Sequence, residues 1–265
     1  RLKTGTPVRV AGRSIDFSAM EKQGSDIENY RFSFREDEAY LPVFSDIKLQ
    51  DAPCYITYST EKTAKLARDN LERSAMYSGN ISGTGARYCP SFEDKIVRFP
   101  HREKHQIYLE PEGNTTEEYY INGLSTSLPI EIQWQLLHSL PGLEKAHITR
   151  YAYAIEYDFV LPHQIDSSLA LRKWRNLFLA GQINGTSGYE EAAAQGLLAG
   201  VNAARIAAGI DTPMTIGREQ GYIGVMIDDL ITKEIVEPYR LFTSRAEYRL
   251  SLRQDNADRR LTRLG

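Results

Sequence analysis

The stretch LFLAGQINGTSGYEEAAAQGLLAGVNAARIAAG, residues 177 to 209, restricts the fold more than any other part of the chain. An apolar run, LFLAG, reads as a short buried strand. Gly181, Gly185 and Gly188 then surround Asn184, Thr186 and Ser187 in a loop whose backbone can approach a ligand closely. An Ala- and Gly-rich helix follows and ends near Gly209. Its first turn, near Tyr189, presents unpaired N–H groups and the positive end of the helix dipole, an arrangement that holds a phosphate or an anionic flavin ring. A plain tight crossover is the alternative for the same pattern. The small residues from Ala192 to Ala204 allow close packing on a sheet or on a second copy of the chain. No G-x-G-x-x-G follows a chain-initial strand, and Gly83-x-Gly85 lies in the wrong context for one. If this is a nucleotide-binding fold, its first half lies outside these residues.

The middle of the chain has its own element signals. PCYITYST alternates with period two and predicts a strand, followed by a helix over STEKTAKLARDNLERS behind a Ser59/Thr60 cap. Gly79, Gly83 and Gly85 mark a loop, after which KIVRF and HQIYLEPEG predict strands. SLPIEIQWQLLHSLPG predicts a helix capped by Ser127 and stopped at Pro141-Gly142. YAYAIEYDFVLP predicts a long strand, and the last fifty residues read as mainly helical.

The chain has 265 residues, a net charge of −3 and 25% charged residues, which suits a globular protein and excludes a generally basic nucleic-acid binder. No apolar run approaches the roughly 20 residues of a membrane span, so no membrane association is expected. The N-terminal stretch lacks the apolar core of a signal peptide, and a cytoplasmic location is expected, or the mitochondrial matrix for a eukaryotic source. Two cysteines, Cys54 and Cys89, with no CxxC and few histidines give neither a disulfide framework nor a metal site. A local basic patch remains: between Arg240 and Arg263 there are seven arginines against three acids. This is a solvated helix face or a phosphate-binding one, with Arg245 and Arg249 as the candidate phosphate contacts, which would be tRNA phosphates under the family resemblance given below.

Cys89 is the chemically notable thiol. It follows a glycine-rich loop, with Arg87 and Lys95 nearby to favour a thiolate and Glu93 and Asp94 to oppose it. A catalytic nucleophile and a buried structural thiol both fit that setting. Cys54 alternates inward on a predicted strand and reads as structural.

The motifs RLKTGTP, GRSIDFS, RYCPSFEDKIVRF, LEPEG, NGLSTSLP, YAIEYD, AGQINGTSGYEEAAAQG, IDDLITK, EPYRLFTSRAEYRL and RQDNADRRLT together resemble the GidA/MnmG family over essentially the whole chain. Val8 stands where the family has a second proline. Against that family the chain reads as a central segment without the N-terminal G-x-G-x-x-G part and the C-terminal helical domain. The implied fold is α/β: an FAD-binding Rossmann-like domain (residues 1–22 and 150–210) interrupted by a mixed α/β insertion for NAD or substrate (23–149), with residues 211–265 opening a helical region.

The resemblance implies an FAD-dependent enzyme that installs an aminomethyl or carboxymethylaminomethyl group at C5 of wobble uridine 34 of tRNA. Methylenetetrahydrofolate donates the one-carbon unit, NADH replenishes the reduced flavin, and the enzyme is a homodimer with a GTPase partner subunit. On the family pattern Gln182 contacts FAD within a loop of Gly181, Asn184, Gly185, Thr186, Ser187, Gly188 and Tyr189. The proposed pyridine-nucleotide segment falls on Gly85, Ala86, Arg87, Tyr88, Cys89, Pro90, Ser91, Phe92, Glu93, Asp94, Lys95, Ile96, Val97, Arg98 and Phe99. Cys89 matches a family cysteine implicated in catalysis, with Arg87 and Lys95 as its charged neighbours. Another flavoenzyme (a two-dinucleotide-binding reductase or a folate-dependent tRNA methyltransferase) and a non-catalytic RNA-binding or dimerisation module are the competing readings.

Overall fold

The structure, a computed structural model, describes residues 1–24, 52–85, 90–234 and 237–264. Its strands are β1 (Leu2–Thr6), β2 (Arg9–Ala11), β3 (Glu21–Gln23), β4 (Cys54–Tyr58), β5 (Thr84–Gly85), β6 (Gln106–Pro111), β7 (Glu118–Asn122), β8 (Ile148–Arg150) and β9 (Tyr153–Tyr157). Its α-helices are α1 (Glu61–Asp69), α2 (Phe92–Arg98), α3 (Ile130–Leu137), α4 (Tyr189–Ala207), α5 (Tyr222–Thr232) and α6 (Ala257–Leu261). The chain is therefore mixed α/β. It divides into two compact units, residues 1–2, 83–87 and 157–265 in the first and residues 3–82 and 88–156 in the second. None of the described helices is long and apolar enough to cross a membrane.

The second unit is built on a six-stranded sheet in the order β3-β4-β6-β7-β2-β8, with antiparallel pairs throughout. The register sets Leu109 opposite both Tyr55 and Ile121, and Ile107 opposite Thr57. Alternation then puts the aliphatic residues on one face, where Val10, Ile107, Leu109 and Ile121 bury against Phe92, Ile96, Ile132 and Leu136 of the helices. β2 lies within residues 1–22, which the sequence groups with the flavin layer, and β3 straddles the end of that segment; both run in this sheet beside strands of the middle segment. β1 neighbours β9 in a separate three-stranded sheet of order β5-β1-β9.

Local chemistry explains where the elements differ from expectation. KIVRF is not a strand: residues 92–98 form α2, because Ser91 and Asp94 make a reciprocal capping box and Phe92 and Ile96 bury one turn apart. Ser127 does not cap α3. Pro129 occupies that position, and the Ser127 hydroxyl lies 2.7 Å from the Ser74 hydroxyl. The long strand expected over YAYAIEYDFVLP is only the five residues of β9. β4, β6 and α1 form as the period-two and period-3.6 patterns predict, with Thr60 rather than Ser59 as the α1 cap.

The first unit packs α4 and α5 around Ile165, Leu169, Leu198, Met226, Leu230 and Tyr239. LFLAG forms no continuous strand there; Phe178 makes one isolated bridge to Ala170. α4 ends near Gly209, as its sequence predicts, and does so in a left-handed turn. Gly209 has φ +75°, and the N–H groups of Gly209 and Ile210 return to the carbonyls of Ile206 and Arg205 at 2.9 and 2.8 Å. The C-terminal stretch is less helical than expected, with α5, the five residues of α6 and short 3-10 turns among its described residues.

Candidate functional site

The glycine loop of the first unit is a 3-10 turn over Gly181–Asn184 that runs into α4. Gly181 (φ +82°) and Gly185 (φ +78°) are left-handed, a conformation that costs an L-residue roughly 1–2 kcal/mol. The turn is folded around one buried side chain, Gln195, on the second turn of α4. Its Oε1 accepts from the Gly181 N–H at 3.0 Å and from Asn184 Nδ2 at 2.8 Å. Its Nε2 donates to Thr186 Oγ1 at 3.1 Å and lies 3.8 Å from Met226 Sδ. Thr186 Oγ1 in turn donates to the Gly181 carbonyl at 3.0 Å.

The loop therefore sorts its residues by direction. Gly181, Asn184, Gly185 and Thr186 are buried, whereas Gln182, Ser187 and Tyr189 are exposed, Tyr189 at 92%. The side chains of Asn184 and Thr186 support the loop from within rather than facing outward. Asn184 Oδ1 has no hydrogen-bond partner among the described residues. Gln182 bonds the Tyr157 hydroxyl, whose pKa burial raises against that bond.

Gly188 is the N-cap of α4 and offers no side-chain cap, so the first-turn N–H groups of the 19-residue helix lack that partner. Its φ is −113°, and its need for glycine is spatial: a Cβ there would collide with the Glu191 carboxylate and sit 3.0 Å from Arg240 Cζ. Glu191, 2% exposed, accepts from the Leu241 N–H at 2.7 Å and lies 3.3 Å from Arg240 Nε. Thr186 bridges Tyr239 in parallel through Ser187 N–H to Tyr239 O (3.2 Å) and Tyr239 N–H to Gly185 O (2.8 Å). Beside this junction is a cleft of about 320 Å³ lined by residues that include Glu191, Tyr222, Arg240 and Phe242.

Behind Tyr239 is a buried charge centre. Asp229, 1% exposed, takes bonds from Arg218 (2.7 Å), Lys233 (2.6 Å) and the Tyr239 hydroxyl (3.0 Å). Burial raises its carboxyl, but the bonds from Lys233, Arg218 and Tyr239 prevail and hold it below the usual carboxylate range. Arg245 belongs here too. Its guanidinium stacks 4.5 Å from the Tyr239 ring centroid, Nε donates to the Arg240 carbonyl at 2.8 Å, and Nη1 lies 3.7 Å from Asp229. Arg249 is exposed. The two arginines paired from sequence thus have different settings, one braced into the fold and one on the surface.

In the second unit, the segment expected to meet a pyridine nucleotide is largely committed to folding. Ala86, Arg87, Tyr88 and Cys89 lie outside the described residues, while Gly85 closes β5 in the first unit. Ser91 and Asp94 cap α2, Asp94 also accepts from the Tyr77 hydroxyl at 2.7 Å, and Phe92 and Ile96 are core. Glu93 is fully buried, its Oε1 accepting from Ser74 Oγ and the Ser127 N–H, both at 3.0 Å. Lys95 Nζ donates to the Gly123 carbonyl at 2.9 Å. Pro90 is half-buried; Val97 and Phe99 are 47% exposed and Arg98 is exposed.

Sequence reasoning missed Gln195, Glu191, Arg240 and Asp229. A signal was present on α4: its inward stripe reads Glu191, Gln195, Leu198 and Asn202, and three polar side chains on a buried face need internal partners. Asn202 finds them at Ser168 O, Met214 O and Met214 N.

The family model for glucose inhibited division protein A matches residues 1–211. The chain belongs to the GidA family. Among GidA relatives, the tRNA uridine 5-carboxymethylaminomethyl modification enzymes MnmG of Lachnoclostridium phytofermentans and Protochlamydia amoebophila are 56% and 57% identical over all 265 residues. The chain spans 41% of the length of each. The form I crystal structure of Aquifex aeolicus GidA superposes with a TM-score of 0.85 at 55% identity, covering 100% of this chain and 44% of that one. The form II structure gives 0.84 at 53% identity over 99% of this chain.

Proposed function

We propose that this chain is part of an FAD-dependent enzyme that builds the (carboxymethyl)aminomethyl group at C5 of wobble uridine 34 in tRNA. The observation that carries the flavin assignment is the loop of residues 181–189. Its inward polar groups are taken up by Gln195, its outward edge is exposed, and it leads into a long helix whose N-terminus has no side-chain cap. That arrangement suits an electron-rich ring edge.

Gly181, Gln182, Gly185, Ser187, Gly188 and Tyr189 are the residues that would hold the flavin. When bound, that group supplies the redox and one-carbon transfer chemistry, drawing on NADH and methylenetetrahydrofolate. The residues of this chain position it: the two left-handed glycines shape the loop, and the first turn of α4 stabilises negative charge beside it. Cys89 is assigned the uridine chemistry. Uracil C5 is a weak nucleophile until a group adds at C6 or a base removes a proton; a thiolate can do either, and the thiol form serves as general acid. Arg87 and Lys95 are its assigned cationic neighbours. A GTPase partner subunit, a homodimeric state and a cytoplasmic location complete the reading. The 91–99 segment enters as the scaffold of the pyridine-nucleotide region.

Nucleoside analysis of tRNA from a deletion strain complemented with the full-length protein is the test. Cys89→Ser is expected to keep flavin and tRNA binding while losing most of the wobble modification, because a hydroxyl is a far weaker nucleophile at neutral pH. Normal modification in that strain removes Cys89 from the chemistry. A full-length protein purified without flavin absorbance removes the flavin assignment.

A further inference from the structure

We propose that Gln195 is the positioning residue of the flavin loop, the side chain that sets the loop's shape and thereby its affinity for the flavin; the proposal rests on the flavin reading above. A carboxamide has two acceptor sites and two donors, and all four are directed at partners here. The oxygen holds Gly181 N–H and Asn184 Nδ2; the nitrogen faces Thr186 Oγ1 and Met226 Sδ. Thr186 Oγ1 then reaches the Gly181 carbonyl, so the N–H and the C=O of left-handed Gly181 are both tied to one side chain through a closed ring of bonds. Gln195 is fully buried, which makes each of these bonds expensive to leave unmade. A single group thus fixes the direction of the peptide on each side of Gly181 and turns the 182–189 edge outward.

No other side chain repeats this pattern. A carboxylate accepts at both oxygens and cannot donate to Thr186; a protonated carboxylic acid regains one donor. Burial raises the pKa of an acid placed at this position. Gln195→Glu should therefore make flavin affinity fall more steeply with rising pH than it does in the unaltered protein. At the acidic end of the range in which the protein stays folded the variant should come nearest to the unaltered protein, and at the alkaline end it should bind flavin about tenfold more weakly. Thr186→Val, which removes the hydroxyl at the other end of the bond, should weaken binding about tenfold at every pH, while Thr186→Ser should not.

The measurement is an absorbance titration of the flavin-stripped full-length protein with FAD across that pH range. A pH profile for Gln195→Glu that matches that of the unaltered protein overturns the proposal. So does Thr186→Val with unaltered affinity, and that arm decides the matter if the glutamate variant fails to fold. An unaltered protein that takes up no flavin overturns the flavin reading itself, an outcome distinct from a flavin-binding protein indifferent to both substitutions.

Discussion

The two motif-rich regions of this chain, residues 91–99 and residues 181–189, raise the same expectation from sequence and are built differently. The first forms α2 itself, the second leads into α4, and each was a candidate cofactor contact. In the first, Phe92, Glu93 and Ile96 are buried and the polar side chains cap α2 or bind backbone, so the motif is spent on holding a helix to the sheet. In the second, the inward residues are braced by polar side chains of α4, and Gln182, Ser187 and Tyr189 are left outward. A shared family motif does not separate scaffold from contact surface; burial and hydrogen-bond direction do.

The sharpest way to break that contrast is to truncate one anchor on each side. Phe92→Ala should cost about 3–5 kcal/mol of stability, since the ring is fully buried among the helices and sheet of the second unit. Tyr189→Ala, at a 92% exposed side chain, should change stability by less than about 0.5 kcal/mol and show its effect in flavin binding. Denaturant unfolding of the full-length protein checks both. A stability loss at Tyr189 equal to that at Phe92 would erase the distinction.

The acid response should separate the regions next. The loop is backed by Tyr239, whose hydroxyl bonds the buried Asp229 carboxylate. Asp229 titrates below its ordinary 3.8 when folded, so its ion bonds contribute stability above the unfolded value, and that contribution is lost as pH falls through the folded one. Arg218 drives the exposed Glu247 to about 2, so this group loses its contribution in the same acidic window. Asp229→Asn should cost roughly 2 kcal/mol at neutral pH and flatten the acid limb below about pH 4. A pH series of thermal melts reads both effects. An unchanged acid limb would mean that Asp229 is not the group that titrates.

These contrasts also show what was legible beforehand. β4, β6, α1 and the end of α4 near Gly209 follow from periodicity and local turn chemistry, which act over a few residues. α2 was misread because Ile96, Val97 and Phe99 suggest a β-rich run, whereas the capping box at Ser91 and Asp94 selects a helix. The glycine loop was found where it lies. Its support was not, because the partners of Gln195, Glu191 and Asp229 are set by tertiary packing, with Glu191 meeting Leu241 fifty positions away. Gly188 illustrates the limit well: glycine was expected there for ligand approach, and the group nearest its missing side chain is the Glu191 carboxylate.

That last point can be sharpened by a pair of substitutions. Gly188→Ala should cost about 1–2 kcal/mol through displacement of Glu191 and should weaken flavin retention indirectly. Gly188→Ala combined with Glu191→Ala should recover part of the retention, because the second change removes the carboxylate that the new methyl meets. If the methyl instead met the flavin, the double variant would retain no more flavin than the single one.

The smallest expected effect concerns the two arginines, and it tests whether a basic run can be read as one surface. Arg245 is stacked on Tyr239 and bonded to the Arg240 carbonyl, so Arg245→Ala should reduce stability and disturb the bridge between Tyr239 and Thr186. Arg249 is exposed, and Arg249→Ala should leave stability within about 0.5 kcal/mol of the unaltered protein. If Arg249 meets a tRNA phosphate, its removal should lower the slope of log affinity against log salt by about one at most. The joint variant should show no further reduction in slope, because the Arg245 charge is already committed within the fold. A slope lowered by about two would place both guanidiniums on the nucleic acid and make the 240–263 run a continuous phosphate-binding face.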